Sequence, residues 1–431
     1  MEINQLYQIF LQSKGVATDT RSIQTKQLFF ALKGDNFNGN LFAEQAVAKS
    51  QYYAVVDDEE LAKDDRYILV SNTLETLATL ANYHRNQLGI PILAITGSNG
   101  KTTTKELIHA VLRRKFETVA TLGNLNNHIG VPLTLFSMKE TTEFGIVEMG
   151  ANRPKEIEAL CKIANPDFGY ITNFGKAHLE GFGSIEGVIK AKSELYTYLK
   201  DNSKLLFLNL DDPIQKKQLA YKNTFSFGSA PDADMQVNYS NNSQTAQVVV
   251  KDTLYTSLLT GNYNAINIAA AISVGHYFKV PKEAIKKAIA GYTPKNNRSQ
   301  IIKLGKTSLL MDAYNANPTS MTAALNSFNK YAAVNKTVIL GDMFELGTSA
   351  AEEHQNIANL ALDMDFEQIY LVGENFNQVK NTDNRIRKFS KFSELEQTLI
   401  DTDLSNRFIL IKGSRGMALE RIVEVLKRKE A

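Results

Sequence analysis

The stretch Thr96-Gly97-Ser98-Asn99-Gly100-Lys101-Thr102-Thr103-Thr104 has the residue types and spacing that hold a polyphosphate. Glycines let successive backbone amides turn toward one anion, and the start of a following helix adds partial positive charge. Lys101 supplies a point charge, and the Thr102 hydroxyl suits Mg²⁺. The backbone of Gly97, Ser98, Asn99, Gly100 and Thr103 would form the cradle. The stretch departs from the full Walker pattern, whose first glycine would fall on Ile95. A glycine turn with a chance lysine is the bland alternative, and the strand-loop-helix setting weighs against it.

Other stretches could serve the same chemistry. Val147-Glu148-Met149-Gly150 closes an apolar run and would deliver a carboxylate to the same sheet edge, well placed to ligate magnesium. Taken alone, an acid at a strand end is more often simply solvated. The segment Ile171-Thr172-Asn173-Phe174-Gly175-Lys176-Ala177-His178 follows another strand and offers His178 as a second metal ligand. His84, His109, His276 and His354 fall on or beside predicted helices, where packing is the ordinary role. His128 lies in the loop Asn124-Leu125-Asn126-Asn127-His128, which either binds a polar ligand or merely turns. Lys190 and Lys192 lie on a helix rich in small residues and read as a solvated charged face.

These residues need a sheet edge to bring them together. The run 90–96 reads as a buried strand and 102–114 as the helix after the phosphate loop. Strands near 117–120, 144–148, 168–172 and 204–208, with helices between them, predict a mostly parallel sheet of P-loop type covered by helices. Residues 235–239 and 246–250 read as an antiparallel hairpin around Asn241-Asn242, followed by helices 262–277 and 282–290. Before this region, strands 27–32 and 52–56 with a helix at 41–48 predict a small α/β domain ending near Leu88. Beyond Pro294-Lys295-Asn296-Asn297, which looks like a linker, strands near 307–311, 337–340, 368–372 and 407–411 predict a Rossmann-like α/β domain. It ends in a helix with Leu419, Ile422, Val423 and Leu426 on one face. The expectation is therefore three α/β domains, at 1–88, 89–296 and 297–431.

Composition agrees and excludes other classes. A chain of 431 residues exceeds what one core usually serves. With 48 basic and 46 acidic side chains the net charge is +2, so no overall field draws it to nucleic acid or an anionic membrane. Cys161 is the only cysteine, which leaves no disulfide framework and fits a buried small hydrophobe in a reducing cytosol. No apolar run approaches spanning length and the N-terminus lacks a signal pattern, so a cytoplasmic location without membrane insertion is expected.

Together the motifs resemble the Mur ligase family. The resemblance rests on TGSNGKTTTKE at 96–106, GNLNNHIGVPLTL at 123–135, VEMGA at 147–151 and ITNFGKAHLEGFGSIEGVIKAKSEL at 171–195. It continues with NRSQ at 297–300, DAYNANPTSM at 312–321, LGDMFELG at 340–347 and IKGSRGM at 411–417, spanning the chain in order. The DAYNANP and GDMFELG stretches point to the branch that joins D-alanyl-D-alanine to UDP-N-acetylmuramoyl-tripeptide. The resemblance implies ATP held by Lys101 and the loop, and two Mg²⁺ ions held by Thr102, Glu148, His178 and a carbamylated Lys192. It implies that Asn264 and Asn267 lie near adenine, and that Arg298 and Asp312 reach phosphate and ribose as the domains close from an open apo form.

The same resemblance gives Asp19-Thr20-Arg21 to the uridine-diphosphate region, where Asn40 stands in place of a common histidine. Thr20, Arg21, Asn126, Asn127, Tyr314, Asn315 and Asn317 are the implied substrate-binding residues, with Glu345 and the 412–415 loop further candidates for the dipeptide site. A monomer is expected. A sister ligase adding lysine or diaminopimelate, a folylpolyglutamate synthase and a catalytically silent nucleotide-binding scaffold are the competing readings. The first lacks a counterpart here of its Asp-Asn-Pro-Arg stretch, the second does not fit the Asn-Asn-His-Ile-Gly-Val-Pro and Tyr-Asn-Ala-Asn-Pro motifs, and the third does not fit the presence of Lys101, Glu148, His178 and Lys192.

Overall fold

The computed structural model describes residues 1–240, 245–294, 297–333 and 335–430. The Asn241-Asn242 turn, and Lys295 and Asn296 of the expected linker, lie outside the described residues. Three main sheets follow one another along the chain, of four, nine and six strands.

The strand Ile92–Thr96 is buried at every position, as its unbroken apolar run requires. It pairs in parallel with Phe168–Ile171 on one side and Phe144–Glu148 on the other. The strand after it in the chain, Thr118–Ala120, lies outside Phe144–Glu148, whereas the later strands continue on the opposite side. The phosphate loop therefore leaves the sheet where the direction of winding reverses, which in α/β sheets is where a ligand crevice opens. The expected hairpin, Met235–Tyr239 with Thr245–Val250, is antiparallel and extends this same sheet. The strands Thr224–Gly228 and Thr253–Thr260 add to it, and were not expected from the sequence.

The helix Thr73–Leu88 starts at Asn72, whose side chain accepts from the Glu75 amide, and ends at Gly89 in the left-handed region. It anchors the four-stranded sheet to the large one. Its Arg85, 6% exposed, donates to the carbonyls of Ala164 and Asn165 and lies 2.6 Å from Asp167. His84 bridges Tyr7 and the Met138 carbonyl. Leu77, Leu80 and Ala81 pack in one core with Leu6, Phe10, Val131, Leu135, Leu160 and Leu195. The first sheet thus shares its hydrophobic core with the second, although its strands Leu28–Phe30 and Ala54–Val56 are separate.

In the six-stranded sheet, Thr307–Met311 lies beside Phe408–Lys412, which lies beside Lys336–Gly341, all parallel. Gln300–Leu304 is antiparallel at the edge. The carboxyl ends of the central strands carry Asp312, Asp342 and Lys412, another switch point.

Candidate functional site

A cavity of about 620 Å³ opens where the two switch points face each other. Its walls come from the phosphate loop, the Glu148 strand end, the helix Asn262–Tyr277 and the start of the third sheet region.

Gly97 has φ 138° and Gly100 has φ 80°, both in the region that favours glycine. A side chain at Gly97 would strike the Thr172 hydroxyl, and one at Gly100 would strike the Asn267 amide. Ser98 and Asn99 are fixed by the neighbouring loop. The Ser98 hydroxyl pairs with both the amide and the carbonyl of Gly175, and Asn99 exchanges bonds with Asn173. Gly100 precedes the helix Lys101–Leu112, so its first amides face the cavity that Lys101, Thr102 and Thr103 line. The Lys101 ammonium is turned back on its own loop, 2.6 Å from the Gly97 carbonyl. Burial pushes its pKa down, with Arg298 adding to that and the Glu148 carboxylate opposing it.

Glu148 is 1% exposed. Its Oε1 accepts from the Thr102 hydroxyl at 3.1 Å and from the Asn126 amide at 2.8 Å, while Oε2 has no hydrogen-bond donor among the described residues. Asn127 uses its side-chain oxygen to receive the amides of Ile129 and Gly130. His178 has φ 52° and lines the cavity, with Nδ1 2.5 Å from the carboxylate of Glu345, which arrives from the third sheet region. That contact lowers the Glu345 pKa.

Lys192 does not line the cavity. It is fully buried one layer behind, where Nζ donates to the Ala151 carbonyl at 3.1 Å and sits 5.1 Å from the Phe182 ring centre. Burial and nearby Lys101 drive its pKa well below that of a free lysine, against the pull of Glu156 and Glu194. The solvated-face reading of this lysine is therefore wrong: its helix Ile185–Asp201 turns Lys192, with Val188 and Leu195, into the protein.

Asn264 and Asn267, one helical turn apart, are joined at 2.9 Å, and Asn267 accepts from Thr104. On the facing side, the Arg298 guanidinium stacks on Tyr314 at 3.7 Å. Asp312 accepts from Lys412 at 2.7 Å and from the Ser299 amide. Asn317 caps the helix Pro318–Asn329 and also donates to Asn99 of the phosphate loop at 2.8 Å. Asn315 lines the same wall.

Thr20 and Arg21 lie elsewhere, in the first region. Arg21 is exposed and pairs with Asp19, holding that carboxyl at about 2, and the Thr20 carbonyl accepts from Lys49. Asn40 is buried and spends its amide on Asp57 at 2.7 Å, so it is part of the framework there. Sequence reasoning missed Lys105, fully buried beside Glu148, and Tyr263, whose hydroxyl meets Ser299. A lysine within TTTKE gives no outward sign of burial, though its i+4 spacing from Lys101 put it on the same helical face.

A glycine-turned phosphate loop at one switch point, faced across a cavity by a basic and acidic wall from another α/β sheet, defines a nucleotide-dependent enzyme whose site lies between domains. The chain belongs to the Mur ligase family: residues 95–275 match the Mur ligase middle domain and 297–415 the Mur ligase glutamate ligase domain. It is 35% identical over 428 residues to the UDP-N-acetylmuramoyl-tripeptide–D-alanyl-D-alanine ligase of Bacillus subtilis (strain 168), covering 96% of this chain and 93% of that one. Among solved structures it resembles MurF from Acinetobacter baumannii, with TM-score 0.89 and 28% identity over 99% of this chain and 98% of that one. MurF ligase from Thermotoga maritima in complex with ADP superposes with TM-score 0.85 and 26% identity, covering 98% of each chain. The family expected from the motifs is borne out.

Proposed function

We infer that this chain is an ATP-dependent amide ligase that joins D-alanyl-D-alanine to UDP-N-acetylmuramoyl-tripeptide, giving the pentapeptide precursor of peptidoglycan. The observation that carries this reading is the single cavity onto which the phosphate loop, Glu148, the Asn264–Asn267 pair and the Arg298–Asp312–Lys412 wall all open. Kinship over nearly the full length to ligases of that name supports the substrate assignment.

In the reaction, a tripeptide carboxylate oxygen attacks the γ-phosphorus of ATP and ADP leaves. The dipeptide amine then attacks the acyl carbon, phosphate leaves and the nitrogen loses a proton. The protein's part is to position the reactants and offset charge. Lys101 and the 97–103 backbone take the phosphates, and the arriving negative charge reverses the burial that disfavours the Lys101 cation. Arg298 adds a second cation, held flat by Tyr314. Asp312 takes ribose hydroxyls, with Asn264 and Asn267 at the adenine end. Asn126, Asn127, Tyr314, Asn315 and Asn317 shape the peptide side, and Thr20 and Arg21 belong to the uridine-diphosphate region of domain 1–88.

The residues fit Mg²⁺. A buried carboxylate on the cavity wall stands with its Oε1 beside a threonine hydroxyl at the phosphate loop, hard oxygen donors of the kind that ion takes alongside substrate phosphates and water. Thr102, Glu148 and His178 would help hold magnesium, and Lys192, once carbamylated, a second ion; bound there, magnesium would supply charge neutralisation of the transferring phosphoryl group. Lys192 suits carbamylation, because CO₂ adds to a neutral amine and burial favours that form. Domains 89–296 and 297–431 would part to admit substrates and close over them. The enzyme works as a cytoplasmic monomer in this reading, and no helix among the described residues is long and apolar enough to cross a membrane.

The test is phosphate release from ATP, Mg²⁺ and the UDP-muramoyl tripeptide with amines added singly: D-alanyl-D-alanine, lysine, diaminopimelate and glutamate. Release with the dipeptide alone supports the assignment. Release with another amine moves the chain to a sister activity.

A further inference from the structure

Lys105 and Glu148 are opposite charges sealed from water, at 0% and 1% exposure, and the reaction as derived above uses only one of them. Lys105 lies one turn beyond Lys101 on the same helix, pointing away from the cavity into the sheet edge. Its ammonium donates to the carbonyls of Thr121 at 2.5 Å and Gly123 at 3.2 Å. It stands 3.6 Å from Glu148 Oε2, the oxygen that no hydrogen-bond donor reaches, and 3.2 Å from the partly exposed Glu106. Thr121 is itself tied to Glu148, because its hydroxyl receives the Glu148 amide at 2.9 Å. The turn that Lys105 grips leads directly to Asn126, which donates to Glu148 Oε1.

We propose that Lys105 is a positioning residue for Glu148: it is the buried counter-ion of the carboxylate and the clamp on the 121–124 turn that leads to Asn126. Two lone buried charges are each costly, and a close pair with its remaining donors and acceptors satisfied is tolerated. Lys105 meets its part of that requirement with two carbonyls, and the pairing leaves Glu148 Oε1 toward Thr102 and the cavity. Glu106 is too exposed to be the main partner. Only the ion-binding consequence rests on Glu148 being a magnesium ligand; the charge pairing does not.

The experiment is a double-mutant cycle on the full chain with Lys105→Met, Glu148→Gln and the pair together. In nucleotide-free protein, Lys105→Met strands a buried carboxylate and lowers Tm by about 5–10 °C. Adding Glu148→Gln returns most of that loss, because the charge needing a partner is gone. By calorimetry, Lys105→Met raises the Mg²⁺ concentration that half-saturates ADP binding about tenfold, on the scale of losing a residue that orients a ligand. On the Glu148→Gln background the same change shifts it less than twofold. Tm losses that simply add would overturn the pairing whatever the enzyme's substrate, and an unchanged Mg²⁺ requirement in Lys105→Met would overturn the positioning role. If Lys105→Met alone does not fold, a folded double variant supports the pairing and an unfolded one overturns it.

Discussion

Replacing Lys192 with methionine separates a structural lysine from a modified one. The side chain is fully buried and makes one hydrogen bond, to the Ala151 carbonyl, plus a contact with the Phe182 ring. Methionine has nearly the same volume, so packing is conserved to within about 1.5 kcal/mol. The lost hydrogen bond costs about 1 kcal/mol. Against this, the folded lysine has a pKa well below its unfolded value, so between the two values the unfolded chain binds more protons. That difference destabilises the native state, increasingly as pH falls below about 10.4. Methionine removes it. In CO₂-free buffer Tm should therefore change by no more than about 3 °C, and rise rather than fall as pH is lowered relative to the parent protein. Activity should respond differently. If Lys192 acts as a carbamate, its loss lowers dipeptide-dependent phosphate release at least about 100-fold, roughly 2.7 kcal/mol of barrier. The parent enzyme should lose activity on CO₂ depletion and regain it with bicarbonate, and ¹³C-bicarbonate should give a carbamate resonance absent from Lys192→Met. A parent enzyme indifferent to CO₂, or a Lys192→Met variant with near-normal turnover, would refute the reasoning.

Two other substitutions probe the framework. Asn317→Ala removes both a helix cap and the 2.8 Å bond to Asn99. It should cost about 1 kcal/mol in denaturant melts and raise KM for ATP several-fold, and an unchanged KM would mean that the contact with the phosphate loop is idle. His84 donates from Nε2 to the Met138 carbonyl and pairs through Nδ1 with the Tyr7 hydroxyl, and burial lowers its pKa below 6.5. The unfolded chain then takes up the proton first as pH falls. Stability should drop as pH falls below about 6.5, with a slope of at most about 1.4 kcal/mol per pH unit from this group. His84→Phe should flatten that part of the pH–Tm curve, and an unaltered slope would assign it to other groups.

The parts legible in the sequence were those where local pattern and tertiary role agree. The strands Phe144–Glu148, Thr307–Met311 and Gln368–Val372 are buried apolar runs and were placed correctly, as were the helices Asn262–Tyr277 and Lys282–Ala290. The edge strands Gln300–Leu304 and Ile386–Phe389 escaped notice because exposed positions break their pattern, with Lys303 in one and Arg387-Lys388 in the other. The phosphate loop was readable because its chemistry lies in nine consecutive residues. Lys192 and Lys105 were not, since a lysine on a helix carries no local mark of burial; Lys192 was singled out only through the family resemblance. The Asn99–Asn317 bond joins residues 218 apart, and the His178–Glu345 contact likewise depends on how two sheets face each other. No periodicity encodes that.

The central claim is ligation through an acyl phosphate, and its most direct test is oxygen transfer. The tripeptide would be labelled with ¹⁸O in its terminal carboxylate and incubated with ATP, Mg²⁺ and D-alanyl-D-alanine, and both products analysed by mass. The mechanism predicts one ¹⁸O in each phosphate released, matched one for one by pentapeptide. Unlabelled phosphate, or phosphate released without the dipeptide and without pentapeptide, would contradict it.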